Sequence, residues 1–206
     1  MSRYLITHSL LSSWMWAMKE DPYEDATTER NAFEDFLCTL NRQPREETEA
    51  MRQGLDFEAL VYRLARGINE TTNKDDKWYD AASQIADVIR SGAIQYKAKT
   101  TLTVAGTDLL LFGVLDVLKA GTIYDIKFTK NYDRGKFFDS TQHPAYFELV
   151  PEAREFTYLV SNGSSVYTET YRRGETRSIV PVISDFLGWL EGCGLMPLYR
   201  EKWGAP

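Results

Sequence analysis

Two aspartates and a lysine flank a short turn in the middle of the sequence. Asp116 precedes Ala120-Gly121, a pair typical of a two-residue β-hairpin loop, and Asp125 and Lys127 follow it. Such a hairpin pairs Asp116 with Asp125, and the two-residue period of a strand puts Lys127 on the same face as Asp125. Because facing carboxylates repel each other, the pattern predicts either a cation bound between them or one protonated carboxyl group.

The chemistry that suits these residues is metal-assisted hydrolysis. Mg²⁺ and Mn²⁺ prefer oxygen ligands, and two aspartates with a carbonyl or a further carboxylate form a suitable ligand set. Lys127 would then orient or activate water. The alternative is a solvated sheet face on which Asp116 and Asp125 form salt bridges with Lys127 and Lys119. An Asp-x-Lys pattern alone is too short to decide between the two interpretations.

Further motifs give the chain a resemblance to a known family. Asp116 followed by Asp125-Ile126-Lys127 across a hairpin resembles the PD-(D/E)XK nuclease signature, with the RecB-like and RecE-like phage exonucleases as the nearest branch. The family motif Gln-x-x-x-Tyr is matched by Gln142-His143-Pro144-Ala145-Tyr146 after the lysine strand. The upstream Gly-x-x-x-His motif resembles Gly54-Leu55-Asp56-Phe57-Glu58, in which glutamate replaces histidine.

The resemblance implies a catalytic set that binds one or two Mg²⁺ or Mn²⁺ ions. The groups that would hold metal are oxygen donors, namely Glu58, Asp116, Asp125 and the main-chain carbonyl of Ile126. Lys127 would join these carboxylates in catalysis. Glu58 has independent support, because it lies at helical spacing on the stripe of Met51, Gly54, Val61 and Ala65 that is expected to face inward.

Substrate-binding residues are expected in the segment after the lysine strand. Gln142 and Tyr146 lie four apart on one face of a helix expected from about Ser140 to Val150, and the resemblance implies that they hold the substrate backbone. The loop before this helix interleaves cations with aromatic residues, which predicts either a grip on single-stranded DNA or a solvated loop. Its cations are Lys130, Arg134 and Lys136.

These motifs predict a divalent-metal-dependent deoxyribonuclease, with exonuclease preferred over endonuclease. The expected substrate is single- or double-stranded DNA, and the resemblance implies phage-type recombination, with a recombination or helicase protein as partner. The competing hypothesis is a catalytically inactive protein that keeps the nuclease fold as a DNA-binding or protein-interaction module. Strand preference, digestion polarity and oligomeric state stay open.

Composition limits the kinds of protein and cofactor that fit this chain. The net charge of −6 argues against a protein that coats nucleic acid through a broad basic surface, but not against an enzyme whose metals meet the phosphate. Cys38 and Cys193 are too few for a four-cysteine iron–sulfur cluster, so none is expected. No apolar run approaches the roughly 18 residues that span a bilayer, and no signal peptide is recognised, so we expect a cytoplasmic protein of phage or bacterial host.

The order of elements predicts an α/β fold. Helical patterns fill residues 1–42, 45–65, 77–90 and 178–191, while strands are expected at 96–104, 109–118, 122–128, 155–161 and 165–172. We therefore expect a restriction-endonuclease-like core with a mixed β-sheet flanked by helices. The expected division is an N-terminal helical lobe over residues 1–45 and a nuclease core over residues 46–206.

Overall fold

The computed structural model describes residues 3–19, 32–44, 47–68, 74 and 76–205. The strands in these ranges are β1 (Tyr4–Ile6), β2 (Ala93–Val104), β3 (Thr107–Lys119), β4 (Thr122–Phe128), β5 (Glu155–Ser161) and β6 (Val166–Arg172). The α-helices are α1 (His8–Ala17), α2 (Ala32–Leu40), α3 (Glu49–Ala65), α4 (Tyr79–Ile89), α5 (Gln142–Leu149), α6 (Val180–Gly192) and α7 (Met196–Lys202).

The strands form one mixed sheet around β3. Strand β2 runs antiparallel along one edge of β3. The other edge is shared by β1, which is parallel and pairs at Leu109–Leu111, and by β4, which is antiparallel and pairs at Val117–Lys119. Strand β5 follows β4 in parallel, and β6 closes the order antiparallel to β5. The predicted mixed α/β sheet flanked by helices is therefore confirmed.

Helices cover both faces of the sheet. On one face, α1, α2, α5, α6 and α7 pack over a core that includes Phe156, Tyr158 and Val160 of β5. On the other face, α3 and α4 pack over a smaller core that includes Leu159 of the same strand and Ile126 of β4. This alternation along β5 is the two-residue period of a strand buried on both sides.

The described part of residues 1–45 contacts the central sheet and its larger core. Strand β1 is a member of the central sheet, and Leu10, Trp14 and Phe36 belong to the larger core cluster. Trp14, Phe33 and Phe36 of this segment pack against α6, with the Trp14 and Phe186 ring centroids 5.4 Å apart. The described residues on the two sides of residue 45 thus share side-chain contacts in the larger core cluster.

The hairpin that carries the candidate residues has the turn that the sequence predicts. Ala120 and Gly121 both have positive φ, 50° and 79°, as a type I′ turn requires. Lys119 pairs with Thr122 and Val117 with Tyr124, which confirms the register next to the turn. Among the described helices, none combines the length and the apolar character needed to cross a bilayer.

Candidate active site

Asp116 lies where β3 departs from regular alternation. Leu115 belongs to the larger core and Val117 to the smaller one, although residues two apart share a face in a regular strand. Gln95, which the register of β2 places opposite Asp116, has φ of 55°, a left-handed conformation that non-glycine residues seldom adopt. Such backbone deviations often occur at functional sites. Here the irregularity in β3 changes the direction of the Asp116 side chain.

Asp116 reaches β4 through its side chain. The ladder between β3 and β4 ends at Val117 and Tyr124, so the backbone pair expected between Asp116 and Asp125 is not formed. Instead, the Ile126 N–H donates to Asp116 Oδ2 at 2.8 Å. Because the N–H and C=O of a strand residue point to the same edge, the Ile126 carbonyl also faces the gap between the two strands. The Ile126 carbonyl, which is expected to be a metal ligand, therefore points toward the side of β4 on which Asp116 lies.

Asp125 and Lys127 form an ion pair on the face of β4 that the expected alternation gives them. Lys127 Nζ lies 2.7 Å from Asp125 Oδ2. Asp125 is only 1% exposed, and its other oxygen accepts a hydrogen bond from Gln142 Nε2. Lys119 does not join the carboxylates, because its ammonium donates to Val88 O. Of the two lysines in the salt-bridge alternative, Lys127 pairs with a candidate aspartate and Lys119 does not.

Glu58 approaches the site from α3. Its side chain is half-buried, and Gln95 Nε2 donates to Glu58 Oε1 at 3.2 Å and to the Tyr62 hydroxyl at 2.9 Å. The inward stripe is shifted from the one expected, because Met51 is 51% exposed. The buried residues of α3 are Phe57, Leu60, Val61, Leu64 and Ala65. Gln95 is a site residue that sequence reasoning missed, since only its backbone conformation reveals its position.

The carboxylates are close enough to change one another's protonation. Burial raises the pKa of Asp116 well above its ordinary value, and the negative charges of Asp125 and Glu58 raise it further. Burial works against the charged ammonium of Lys127, but attraction to Asp125, Asp116 and Glu58 outweighs it, so its pKa is raised. The site therefore has an excess of negative charge that one lysine does not neutralise.

Helix α5 places its two motif residues inside the protein. Pro144 falls in the first turn, where its missing N–H costs no helical hydrogen bond, so the helix begins at Gln142. Gln142 and Tyr146 are buried, and the Tyr146 hydroxyl donates to Val114 O at 2.9 Å. Both side chains thus contact protein groups around the site, and the contact with substrate expected of them stays a prediction.

His8 is a further neighbour of the site that the sequence did not single out. Thr141 Oγ1 donates to His8 O at 3.1 Å, and the imidazole lies edge-on to Tyr146. Burial, and then the charge of Lys127, lower the pKa of His8 to about 4. The ring is therefore neutral at pH 7, and it fills space between α1 and α5 without adding charge to the site.

The loop between Lys127 and Gln142 is fastened by Glu169 of β6. This carboxylate is 8% exposed and accepts hydrogen bonds from the hydroxyls of Tyr132 and Tyr171 and from the main-chain N–H groups of Gly135 and Phe137. The loop cations Lys130, Arg134 and Lys136 are exposed. Glu169 therefore holds in place a loop that carries three exposed cations. The loop follows Lys127 and precedes Gln142, which both belong to the candidate site.

Replacing Glu169 with glutamine is expected to release this loop. A glutamine amide has a single acceptor oxygen, so at least one of the charge-assisted hydrogen bonds, worth about 1.5–3 kcal/mol, is lost. Tryptic cleavage after Lys130, Arg134 and Lys136, followed by mass spectrometry, should accelerate about tenfold or more. Glu155→Gln, which changes a half-buried glutamate of β5 that does not contact the loop, is the matched control. Unchanged cleavage in a folded Glu169→Gln protein would contradict the fastening role.

A divalent cation fits the donor set of this site. Asp116, Asp125 and Glu58 supply carboxylate oxygens, and the Ile126 carbonyl faces the same gap. Burial first, and then the negative charges of Asp125 and Glu58, raise the pKa of Asp116, and a bound cation would favour its charged form again. Within the described ranges, no three or more His, Cys, Asp or Glu side chains stand together as a ready-made metal cluster. The observed partners are Gln95 for Glu58, Lys127 for Asp125 and the Ile126 N–H for Asp116.

Comparison with known proteins assigns no family. No family model matches the chain, and no curated protein matches it. Among solved structures, it aligns with SSO0001 at 14% identity and a TM-score of 0.42, over 66% of this chain and 87% of the other. It also aligns with Rai1 of Scheffersomyces stipitis at 12% identity and a TM-score of 0.28, over 93% and 76%. Scores this low carry no argument about the function of this chain.

Proposed function

We propose that this protein is a divalent-metal-dependent nuclease that hydrolyses phosphodiester bonds in DNA. The observation that carries the proposal is the meeting of Asp116, Asp125, Glu58 and Lys127 at the point where β3 and β4 separate. Repulsion among neighbouring carboxylates destabilises a fold, and strongly perturbed groups of this kind cluster at functional sites. The motif resemblance to PD-(D/E)XK nucleases points to the same residues, and it is the reason for preferring exonuclease.

Each residue has a definite part in the proposed reaction. Asp116, Asp125, Glu58 and the Ile126 carbonyl would hold Mg²⁺ or Mn²⁺. The bound metal would polarise the scissile phosphate and lower the pKa of the attacking water. Lys127, whose pKa is raised, stays protonated and acts as a hydrogen-bond donor and a positive charge that orients water and phosphate, but not as a base.

The surrounding residues would hold the centre and the substrate. Gln142 fixes one oxygen of Asp125 and so leaves the other for Lys127 and metal. The exposed cations Lys130 and Arg134 lie on the loop that follows Lys127, where they can contact the phosphate backbone of a bound strand. Narrow positive segments of this type allow an acidic protein to bind nucleic acid.

The direct test is cleavage of end-labelled single- and double-stranded DNA by wild-type protein with Mg²⁺, with Mn²⁺ and with chelator. We expect cleavage with metal and none with chelator, and the product ladder will distinguish exonuclease from endonuclease. Activity should coincide with the protein peak on a sizing column, which excludes a contaminant. Folded protein that binds DNA in chelator but cleaves with neither metal would favour the competing hypothesis of a noncatalytic binding module.

A further inference from the structure

A groove runs between α1 and the end of the loop that Glu169 fastens. It has a volume of about 180 Å³, and Trp16 and Lys19 line one wall while Lys136, Asp139 and Thr141 line the other. Trp16 is 63% exposed, far more than Trp14 and Trp203, which are 8% and 7% exposed. The groove thus combines an open aromatic surface with two cations on opposite walls.

One end of the groove is adjacent in sequence to a residue of the candidate active site. Thr141 lines it and directly precedes Gln142, whose amide donates to Asp125. Thr141 Oγ1 also donates to His8 O at the start of α1. Trp16 lies eight residues farther along α1, which is about 12 Å at the helical rise of 1.5 Å per residue. This is the length of a few nucleotides of a nucleic-acid strand.

The chemistry of the groove suits a nucleobase with its backbone. Lys19 Nζ lies 5.8 Å from the Trp16 ring centroid, and Lys136 is held in place by hydrogen bonds to Thr129 and Asn131. Single-stranded nucleic acids bind where cations follow the backbone and aromatic rings stack the bases. Asp139 disfavours a free inorganic anion, whereas its carboxylate can accept hydrogen bonds from the N–H groups of a base.

We propose that this groove is a subsite for single-stranded nucleic acid, in which a base stacks on Trp16 a few nucleotides from the carboxylate centre. The inference rests on the proposed nuclease function, because a strand that enters the groove must continue to the site past Thr141. A duplex keeps its bases stacked on one another, so the subsite favours single strands or frayed ends. Trp16 thereby determines the preference for single-stranded over double-stranded nucleic acid.

Binding without cleavage tests the subsite. Wild type, Trp16→Ala and Trp16→Phe are titrated in chelator with fluorescein-labelled oligodeoxythymidylate and oligouridylate, and affinity is read from anisotropy. Trp16→Ala should bind about tenfold more weakly, whereas Trp16→Phe keeps a stacking ring and should stay close to wild type. Tyr96→Ala, which removes an exposed aromatic ring outside the groove, should bind as wild type does. The two homopolymers distinguish a DNA strand from an RNA strand.

Tryptophan fluorescence adds a readout at the groove itself. Unlabelled oligonucleotide should quench wild-type emission, and most of this quenching should vanish in Trp16→Phe. Wild-type affinity in Trp16→Ala, or full quenching in Trp16→Phe, would overturn the subsite while leaving the nuclease proposal in place. Absence of any oligonucleotide binding by wild type, together with absence of cleavage, would overturn both proposals.

Discussion

Lys127→Ala is expected to lower the rate of metal-dependent cleavage by about 10²–10⁴-fold, the range found when a positioned donor or charge is removed from a reacting centre. Lys127 contributes the positive charge that meets Asp125 Oδ2 at 2.7 Å, and the attraction of three carboxylates keeps it protonated. The loss should appear in single-turnover cleavage of end-labelled DNA with Mg²⁺, because that measurement isolates the chemical step from product release.

Two further variants separate catalysis from stability. Without Lys127, the buried Asp125 oxygen loses its partner at a cost of about 1–3 kcal/mol, so rates must be compared well below the melting temperature. Lys127→Arg keeps the charge and should recover stability without full activity, because a guanidinium presents its donors in another geometry. Lys119→Ala, on the same hairpin, should leave cleavage nearly unchanged. Equal losses in the Lys119 and Lys127 variants would argue against a catalytic lysine.

The hairpin could be predicted because its information is local. Ala120-Gly121 requires the turn, the turn fixes the register of its neighbours, and alternation puts Asp125 and Lys127 on one face. Strand β4 was expected at its observed bounds, Thr122–Phe128. Candidate residues that depend on a few neighbouring positions are therefore accessible from one sequence, which is why the ion pair between Asp125 and Lys127 was foreseeable.

Features that depend on contacts between residues far apart in the chain could not be predicted from the sequence. Strand β1 has three residues, and only pairing with β3 makes it part of the sheet. Glu169 reads as an alternating strand residue, and nothing near it in sequence indicates that it binds a loop more than 30 residues earlier. The Gln142 amide donates to Asp125, a contact that the motif alone did not indicate. In each case tertiary packing decides between roles that the local pattern permits equally.

The Asp116 site also explains why the backbone pairing expected from the turn stops early. Beyond Val117 the two strands separate, and the Asp116 carboxylate takes the Ile126 N–H that a regular ladder would give to a backbone carbonyl. The opening that results is the space in which the carboxylates and the Ile126 carbonyl can share a cation. A regular hairpin would fill that space with backbone hydrogen bonds, so the proposed cation site depends on this local irregularity.

Asp116→Asn is expected to lower the rate of cleavage strongly while making the metal-free protein more stable. Burial and the charges of Asp125 and Glu58 disfavour the Asp116 carboxylate, whereas an asparagine oxygen can still accept from the Ile126 N–H without charge. Relief of this kind is worth about 0.5–2 kcal/mol, and each kcal/mol raises the melting temperature of a chain this size by about 2–4 °C. Cleavage should fall by about 10²-fold or more, because the proposed metal site would lose one of its carboxylate ligands.

The stability gain should depend on pH and on metal. Because the pKa of Asp116 is higher in the folded state, the folded protein holds a proton that the unfolded chain has released, so the free energy of unfolding falls as pH rises above about 4. In chelator, the melting temperature of Asp116→Asn should therefore exceed that of wild type by little near pH 4 and by more near pH 8. Asp108→Asn, elsewhere on β3, should show no such trend.

Adding Mg²⁺ should reverse the order of the two proteins, since a ligand that binds only the folded state raises its stability. Wild type should gain melting temperature with Mg²⁺ concentration, and Asp116→Asn should gain much less. A metal-free variant less stable than wild type at pH 8 would show that Asp116 is not under repulsion. Equal stabilisation of both proteins by Mg²⁺ would remove Asp116 from the ligand set, leaving Asp125 and Glu58 as the carboxylates to test.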